Sequence, residues 1–583
     1  MRSEINRKWR HWPLGLVAVI SVLILACGAA ATTTPVPTAV STQPTPTLGF
    51  ISTPTPGSMT ATATPRPTPT PGVVVSARDT IRVVAGEEPT VLGAFSSGCS
   101  GNVPSMVCEE VATDPLTWID SETFEVVPLT GVDTWSQVDP DRWRFTLREG
   151  VTFHNGEPWN AEAAKLGIDW HGDSTSAGNA TGSYGFHGGI QGEVVDPMTV
   201  DVVCDIGCPI LPRSTMFLKF QAPEWWASAS DDEKELNTIG LGPYRIVNWE
   251  RGVHVELEAF EDYLPNTSFD SQAPSIRHAF QLWRSEALVR ASMVQAGEAD
   301  LAFEIGVANE DRVPKAARGT NSEVVLLVAD NIWHPELKKK QVREALALAI
   351  DCAGMMESMY ENTQTCFGTI SQWGTIGVNE ENAAPYPYDP VRARELLAEA
   401  NYDPNNEIII YTREGRFYND IEFTESIINQ WREIGVNTSM QVMDGATHTN
   451  VRRSGCGHFE GRTCASQPNP PGPFNASSHF YLSPTSNESL DMQRQLLLRN
   501  SCGNVNSRVC DLVPGFEDRL QDAIQTPLGP ERTRKLEELT TIIHNEFWFI
   551  PFFEVVSIYG MSEDLQWTPR YDPRTRINTM SFQ

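Results

Sequence analysis

Nothing between Ala29 and Gly72 can build a hydrophobic core, and this confines folding to the residues that follow. The stretch is mostly Thr, Pro, Ala and Ser, with repeated pairs such as Thr45-Pro46 and Thr68-Pro69-Thr70-Pro71. Its one charge is Arg66. Proline removes a backbone donor, and the small side chains offer little apolar surface to bury. The stretch is therefore predicted to be an extended tether, at about 3.1 Å per residue where it is polyproline II. The foldable body starts near Val73 and holds about 510 residues, a length suited to about three domains.

Before the tether stand Arg2, Arg7, Lys8 and Arg10, then an apolar run of 13 residues, Leu14 to Ala26. A bilayer span needs roughly 20 apolar residues, so this run fits the core of a secretory signal instead. Its ending, Ile24-Leu25-Ala26-Cys27, resembles a bacterial lipobox. That resemblance implies a lipid on Cys27 as the first mature residue, and a protein anchored outside the cytoplasm, at the cell surface or in the periplasm. An ordinary signal peptide and an uncleaved anchor are the alternatives. The other long apolar stretch, Phe547 to Met561, is interrupted by Pro551 and Glu554 and is predicted to be a buried strand.

The formal net charge is −30, and removing residues 1–26 makes it −33. So acidic a body argues against nucleic-acid partners and anionic membrane surfaces. Ten cysteines follow Cys27 in five close pairs: Cys99/Cys108, Cys204/Cys208, Cys352/Cys366, Cys456/Cys464 and Cys502/Cys510. Sequence alone leaves the connectivity open. Pairing between neighbours is the simplest choice, and an oxidising compartment favours it. Cys456, His458 and Cys464 form a rival metal set, but no regular zinc spacing completes it.

Strand and helix signals alternate through the body. Thr80 to Val84 alternates like a strand, as does Trp143-Arg-Phe-Thr-Leu-Arg. Asn160 can cap a helix running toward Trp170, and Ser285 one with Leu288, Ala291 and Val294 inward. Lys338 to Met356 carries one apolar stripe, so a single helix is predicted there. Asp389-Pro390 starts another helix, Ile421 to Ile434 a third, and Pro530 the last. With strands such as Ile408 to Tyr411 between them, the class is α/β.

Five segments resemble, in order, the family 5 extracellular solute-binding proteins, the oligopeptide, dipeptide and nickel receptors of ABC importers. They are Trp143 to Pro158, Gly240-Leu-Gly-Pro-Tyr244, Gln295 to Leu301, Val342 to Asp351 and Tyr388 to Ala400. The resemblance implies a two-lobed fold of the type II periplasmic-binding-protein kind, with an extra subdomain and a hinge. On that layout residues 1–26 are the signal and 27–77 the tether. Residues 78–113, 237–327 and 548–583 make lobe I, 114–236 its extra subdomain and 328–547 lobe II. It further implies a monomer that captures an oligopeptide or dipeptide between closing lobes and delivers it to ABC permease subunits.

The matched motifs themselves read as structural. Asn155-Gly156 is a turn former, and His154 is expected to pack rather than bind. Gly240 to Tyr244 is no phosphate loop, since no Lys-Ser/Thr pair follows. No Gly-x-Ser-x-Gly or His-Glu-x-x-His signature is present, so neither an enzyme nor a cofactor is expected. Peptide receptors of this resemblance carry an Asp that meets the ligand's ammonium. The stretch taken to correspond, Cys464 to Phe474, has none. Position in the matched segments makes Glu109, Asn331, Trp333, Trp373, Gln467, Asn469 and Phe474 the candidate ligand contacts. An oligosaccharide receptor of the same fold, a nickel receptor, a surface sensor and an exported hydrolase remain as alternatives.

Overall fold

The computed structural model describes residues 78–96, 99, 106–173, 189–414, 416–452, 479–502, 504, 506–509 and 512–583. Cys27, the tether and the Cys456/Cys464 pair lie outside them. The first strand is β1 (Thr80–Ala85), with Ile81, Val83 and Val84 fully buried. A hairpin of β2 (Thr117–Ile119) and β3 (Val126–Pro128) follows. Next comes a separate four-stranded sheet made of β4 (Val132–Asp139), β5 (Arg142–Leu147), β6 (Ile190–Asp196) and β7 (Thr199–Cys204). Phe145 and Leu147 of β5 bury one face of it against the helix Ala161–Gly172. Asn160 caps that helix, its side chain accepting from Ala163 N–H at 3.0 Å.

The main sheet adds β8 (Tyr244–Glu250), β9 (His254–Ala259), β10 (His278–Trp283), β11 (Leu301–Ala302), β12 (Lys315–Val328), β13 (Thr365–Cys366), β14 (Ile408–Thr412), β15 (Thr438–Val442), β16 (Phe480–Ser486) and β17 (Phe549–Met561). Its order is β15-β14-β16-β12-β17-β11-β1-β10-β9-β8, with β13 beside β17. β12 and β17 are the long members that join its two halves. Lys315 to Thr320 pairs with Val556 to Met561, and Val324 to Val328 with Phe549 to Glu554. Between the two ladders the register shifts, and Ser322 takes φ 57°. Such an irregularity bends a strand and raises its twist. The halves have separate cores. One gathers Val83, Leu257 and Ala279; the other gathers Leu327, Leu346, Ile410, Phe423 and Phe552.

Caps place most helices where the sequence puts them. Asp389 accepts from Arg392 N–H at 2.9 Å ahead of the helix Pro390–Glu399. The helices Asp420–Glu433 and Pro530–Asn545 bury their apolar stripes as expected. Two expectations need correction. The predicted helix over Lys338 to Met356 is two helices, Lys340–Leu348 and Cys352–Tyr360. Asp351 breaks it, because its side chain accepts from Gly354 N–H at 2.9 Å and starts a new first turn. The helix Ala287–Gln295 follows Glu286 rather than Ser285, and Leu288 is exposed instead of inward.

Three neighbour disulfides are present: Cys99–Cys108, Cys204–Cys208 and Cys352–Cys366, with Cα separations of 6.0, 6.4 and 6.1 Å. Those separations lie in the usual range. Cys502 is also disulfide-bonded, while Cys510 lies outside the described residues. Two of the matched motifs meet in space. His154 N–H donates to Gly240 C=O at 3.1 Å, and its ring Nε2 sits 2.9 Å from Gly242 C=O. Burial lowers that imidazole to about 4, so it packs as a neutral ring. A Cβ on Gly240 would come within 2.1 Å of Ala112 C=O, which explains the glycine.

Candidate ligand-binding site

Parallel strands from both halves of the main sheet end at one crevice. β14 runs parallel to β15 and to β16, and β1 runs parallel to β10 and β11. Past the carboxyl end of β1 comes Glu87; past β14 come Arg413 and Glu414; past β15 come Met443 and Asp444. These residues line one open cavity of about 540 Å³. Open α/β sheets bind ligands outside the carboxyl ends of their strands, because backbone groups there point outward unpaired. A site of this size suits a small solute.

The crevice holds charge of both signs. Arg416 pairs with Glu323, which sits at the bend of β12. Arg413 and Arg452 make no hydrogen bond or ion pair through their side chains among the described residues. Burial lowers the Arg413 guanidinium, as do Arg416 and Arg452, while Glu87 acts in the opposite direction. Burial and the same arginines push His448 down to about 4, so it is neutral; its Nε2 lies 3.1 Å from Leu482 C=O. Arg413 lines the open cavity among Glu87, Glu414 and Asp444, and with its side-chain donors unused among the described residues it can take a carboxylate, which offers two acceptors to a guanidinium.

The sequence-derived contacts fall in three places. Glu109 is buried 3.2 Å from Lys219 and 3.7 Å from Arg574, inside a cluster of ion pairs. Asn331 is buried, its amide donating to Ala329 C=O at 3.1 Å. Trp333 follows on the same turn, its N–H donating to Asp330 Oδ2 at 3.0 Å. Burial raises that aspartate to about 6. Trp373 is 51% exposed on another loop, its ring 5.5 Å from that of Phe367. Gln467, Asn469 and Phe474 lie outside the described residues. Among the described residues no group of three or more His, Cys, Asp or Glu is placed to hold a metal ion.

The Trp373 loop covers an unusual carboxyl. Burial pushes Glu554 up to about 7, and the Trp373 N–H that it accepts pulls it partly back. An unfolded glutamate titrates near 4.3, so the folded chain holds an extra proton between those values. The contribution is full below about 4.3 and is lost as pH rises through about 7. Between pH ~5 and ~8.5 it amounts to about 2–3 kcal/mol. Denaturant melts of Glu554→Gln should lack that decline. Equal pH dependence in variant and wild type would contradict this assignment.

The sequence alone does not single out Arg413, Arg452 or Glu87. The available signal was a charged residue directly after a parallel strand, as in Ile408-Ile-Ile-Tyr-Thr-Arg413. Without the strand order, nothing distinguishes that arginine from any solvated one.

Residues 125–487 match the profile of the bacterial extracellular solute-binding proteins, family 5 Middle. The glutathione-binding protein GsiB of Salmonella typhimurium is 26% identical over 322 residues, covering 52% of this chain and 58% of that protein. The chain thus matches over less than two thirds of that relative's length. Among solved structures, the dipeptide-binding protein of a Pseudoalteromonas species in complex with Met-Leu superposes with a TM-score of 0.72. It is 17% identical, and the match covers 86% of this chain and 100% of that one. The Escherichia coli murein tripeptide binding protein MppA gives a TM-score of 0.71 at 15% identity, over 88% of this chain and 99% of that one. At such identities the likeness shows the fold, a two-lobed periplasmic-binding-protein architecture of mixed α/β class. With a profile matching more than half of its length, the chain belongs to the family 5 bacterial extracellular solute-binding proteins.

Proposed function

We propose that this protein is the extracytoplasmic substrate-binding component of an ABC importer. It captures a short peptide, or a similar small carboxylate-bearing solute, in the crevice between the strand ends. The observation that carries the reading is Arg413, which lines that cavity and makes no side-chain hydrogen bond or ion pair among the described residues. Relatives named for glutathione and dipeptide binding support the ligand class. The lobes correspond to the two halves of the main sheet. Closure would bend β12 and β17 where their register shifts, since hinges sit in a few residues that absorb the change. Transport energy comes from a separate ATPase, and the chain acts as a binder, not an enzyme.

The Leu-Ile-Leu-Ala-Cys27 ending supports a lipid anchor, with the Thr/Pro stretch as its tether. Among the described residues no helix is long and apolar enough to cross a membrane. A Cys27→Ser chain that still partitions with membranes would sink the anchor. The ligand class is tested by thermal shift. Dipeptides at 100 times their dissociation constant should stabilise the body by about 2.7 kcal/mol. A shift with oligosaccharides and none with di- to pentapeptides would favour the sugar-receptor alternative instead.

A further inference from the structure

A second recess lies beside the bend of the long strands. Its wall carries Glu304, Tyr360, Phe417, Tyr418 and Phe553, and its volume is about 40 Å³. One water needs about 10–15 Å³ of such free space, so a group of a few heavy atoms fits. Glu304 and Gly306 come from the loop after β11, in one half of the sheet. Phe417 and Tyr418 follow β14 in the other half.

Glu304 is held in place without being neutralised. Its backbone takes φ 50°, a left-handed value that a glutamate rarely adopts. Arg290 fixes this loop through carbonyls alone, donating to Phe303 at 2.8 Å and Glu304 at 2.6 Å, and to Arg284 and Ser285. The Glu304 carboxylate makes no hydrogen bond or ion pair among the described residues. Two opposing charges act on it from a distance: Arg416, which is committed to Glu323, and Arg290, whose donors are taken by the carbonyls. Burial raises the carboxyl, and Arg416 acts in the opposite direction. Backbone strain of this kind gathers at functional sites, where a side chain must be presented in a set direction.

The aromatic walls are equally fixed. The Tyr360 ring lies 5.1 Å from Phe553 and 6.2 Å from Tyr418, and its hydroxyl donates to Tyr418 C=O at 2.8 Å. A Cβ on Gly306 would come within 2.8 Å of the Tyr418 ring, so the glycine lets that ring close on the loop. A carboxylate set among ring faces complements an organic ammonium. The carboxylate balances its charge, and the rings attract its polarised C–H and N–H groups.

We propose that this recess is a cation subsite that takes a primary or quaternary organic ammonium against Glu304, Phe417 and Tyr418. It rests on the crevice reading in one respect, that the ammonium belongs to the captured solute. It supplies the anionic partner that the stretch from Cys464 to Phe474 lacks.

The test uses n-butylammonium and its neutral analogue 1-butanol, titrated by calorimetry into the full chain. Saturable binding of the ammonium and none of the alcohol is expected. Glu304→Gln should weaken ammonium binding at least ten-fold with an unchanged melting temperature. No saturable ammonium binding, or equal binding by Glu304→Gln, overturns the proposal. Should that variant fail to fold, Tyr418→Leu carries the test, and unchanged affinity there overturns it equally. Dipeptide titration reads the crevice separately. A dipeptide bound alike by wild type and Glu304→Gln overturns the subsite and leaves the crevice reading standing. Ammonium binding without any dipeptide binding does the reverse.

Discussion

Replacing Asp114 by alanine is expected to cost the fold about 3–5 kcal/mol. Asp114 is fully buried and accepts from Arg576 at 2.6 Å and from the Tyr263 hydroxyl at 2.9 Å. The Arg576 side chain has no exposure at all. Without Asp114 its guanidinium would keep the Asp270 carbonyl, at 2.8 Å, and the Trp118 ring, but no paired carboxylate. An uncompensated buried charge is far more costly than the pair is stabilising. The cost should also be cooperative. Arg570 holds Asp270 at 2.7 Å and Asp572 at 2.9 Å, and Arg574 holds Glu110 at 3.3 Å. All three arginines lie within 5.6 Å of the Trp118 ring centre. This cluster ties the C-terminal segment to the hairpin of β2 and β3. Denaturant unfolding of Asp114→Ala, Arg576→Met and the double variant measures it. The double variant should be less destabilised than the two single effects summed. A single Asp114→Ala effect below about 1 kcal/mol would show that the pair does not fasten the fold.

Arg413→Ala is expected to weaken dipeptide binding by roughly 10- to 150-fold, the worth of about 1.5–3 kcal/mol for a hydrogen bond to a charged group. Its effect on folding should be small, because Arg413 has no side-chain hydrogen bond or ion pair among the described residues to lose and burial already works against its charge. This separation of affinity from stability is what distinguishes a ligand-facing arginine from a structural one. Arg532 provides the contrast. It is wholly buried against Asp491 at 2.9 Å, and its loss should appear in stability first. If Arg413→Ala binds dipeptides as wild type does, the carboxylate is held elsewhere.

The fold was largely legible in the sequence because its signals are local. Caps such as Asn160 and Asp389 act within one turn, and the alternation in Arg142–Leu147 is read within a single strand. The failures came where two local signals competed. The apolar stripe from Lys338 to Met356 continues past Asp351, yet the Asp351 side chain starts a new helix. The site was much less legible. Glu87, Arg413 and Glu304 stand far apart in the chain and are brought near only by the order in which β1, β11, β14 and β17 assemble. Glu109, chosen from its place in the sequence, is engaged by Lys219 and Arg574 inside the ionic cluster. Charge alone cannot tell such a fastened carboxylate from an available one. The difference lies in partners contributed by Arg574, more than 400 residues away.

Calorimetric titration of a dipeptide and of its C-terminal amide into the wild-type chain tests whether the crevice holds a carboxylate. The two ligands differ in the one group that Arg413 is placed to meet. Saturable binding of the free acid is expected, with the amide at least ten-fold weaker. Equal affinity for acid and amide, or no dipeptide binding at all, would contradict a carboxylate-holding crevice at the strand ends.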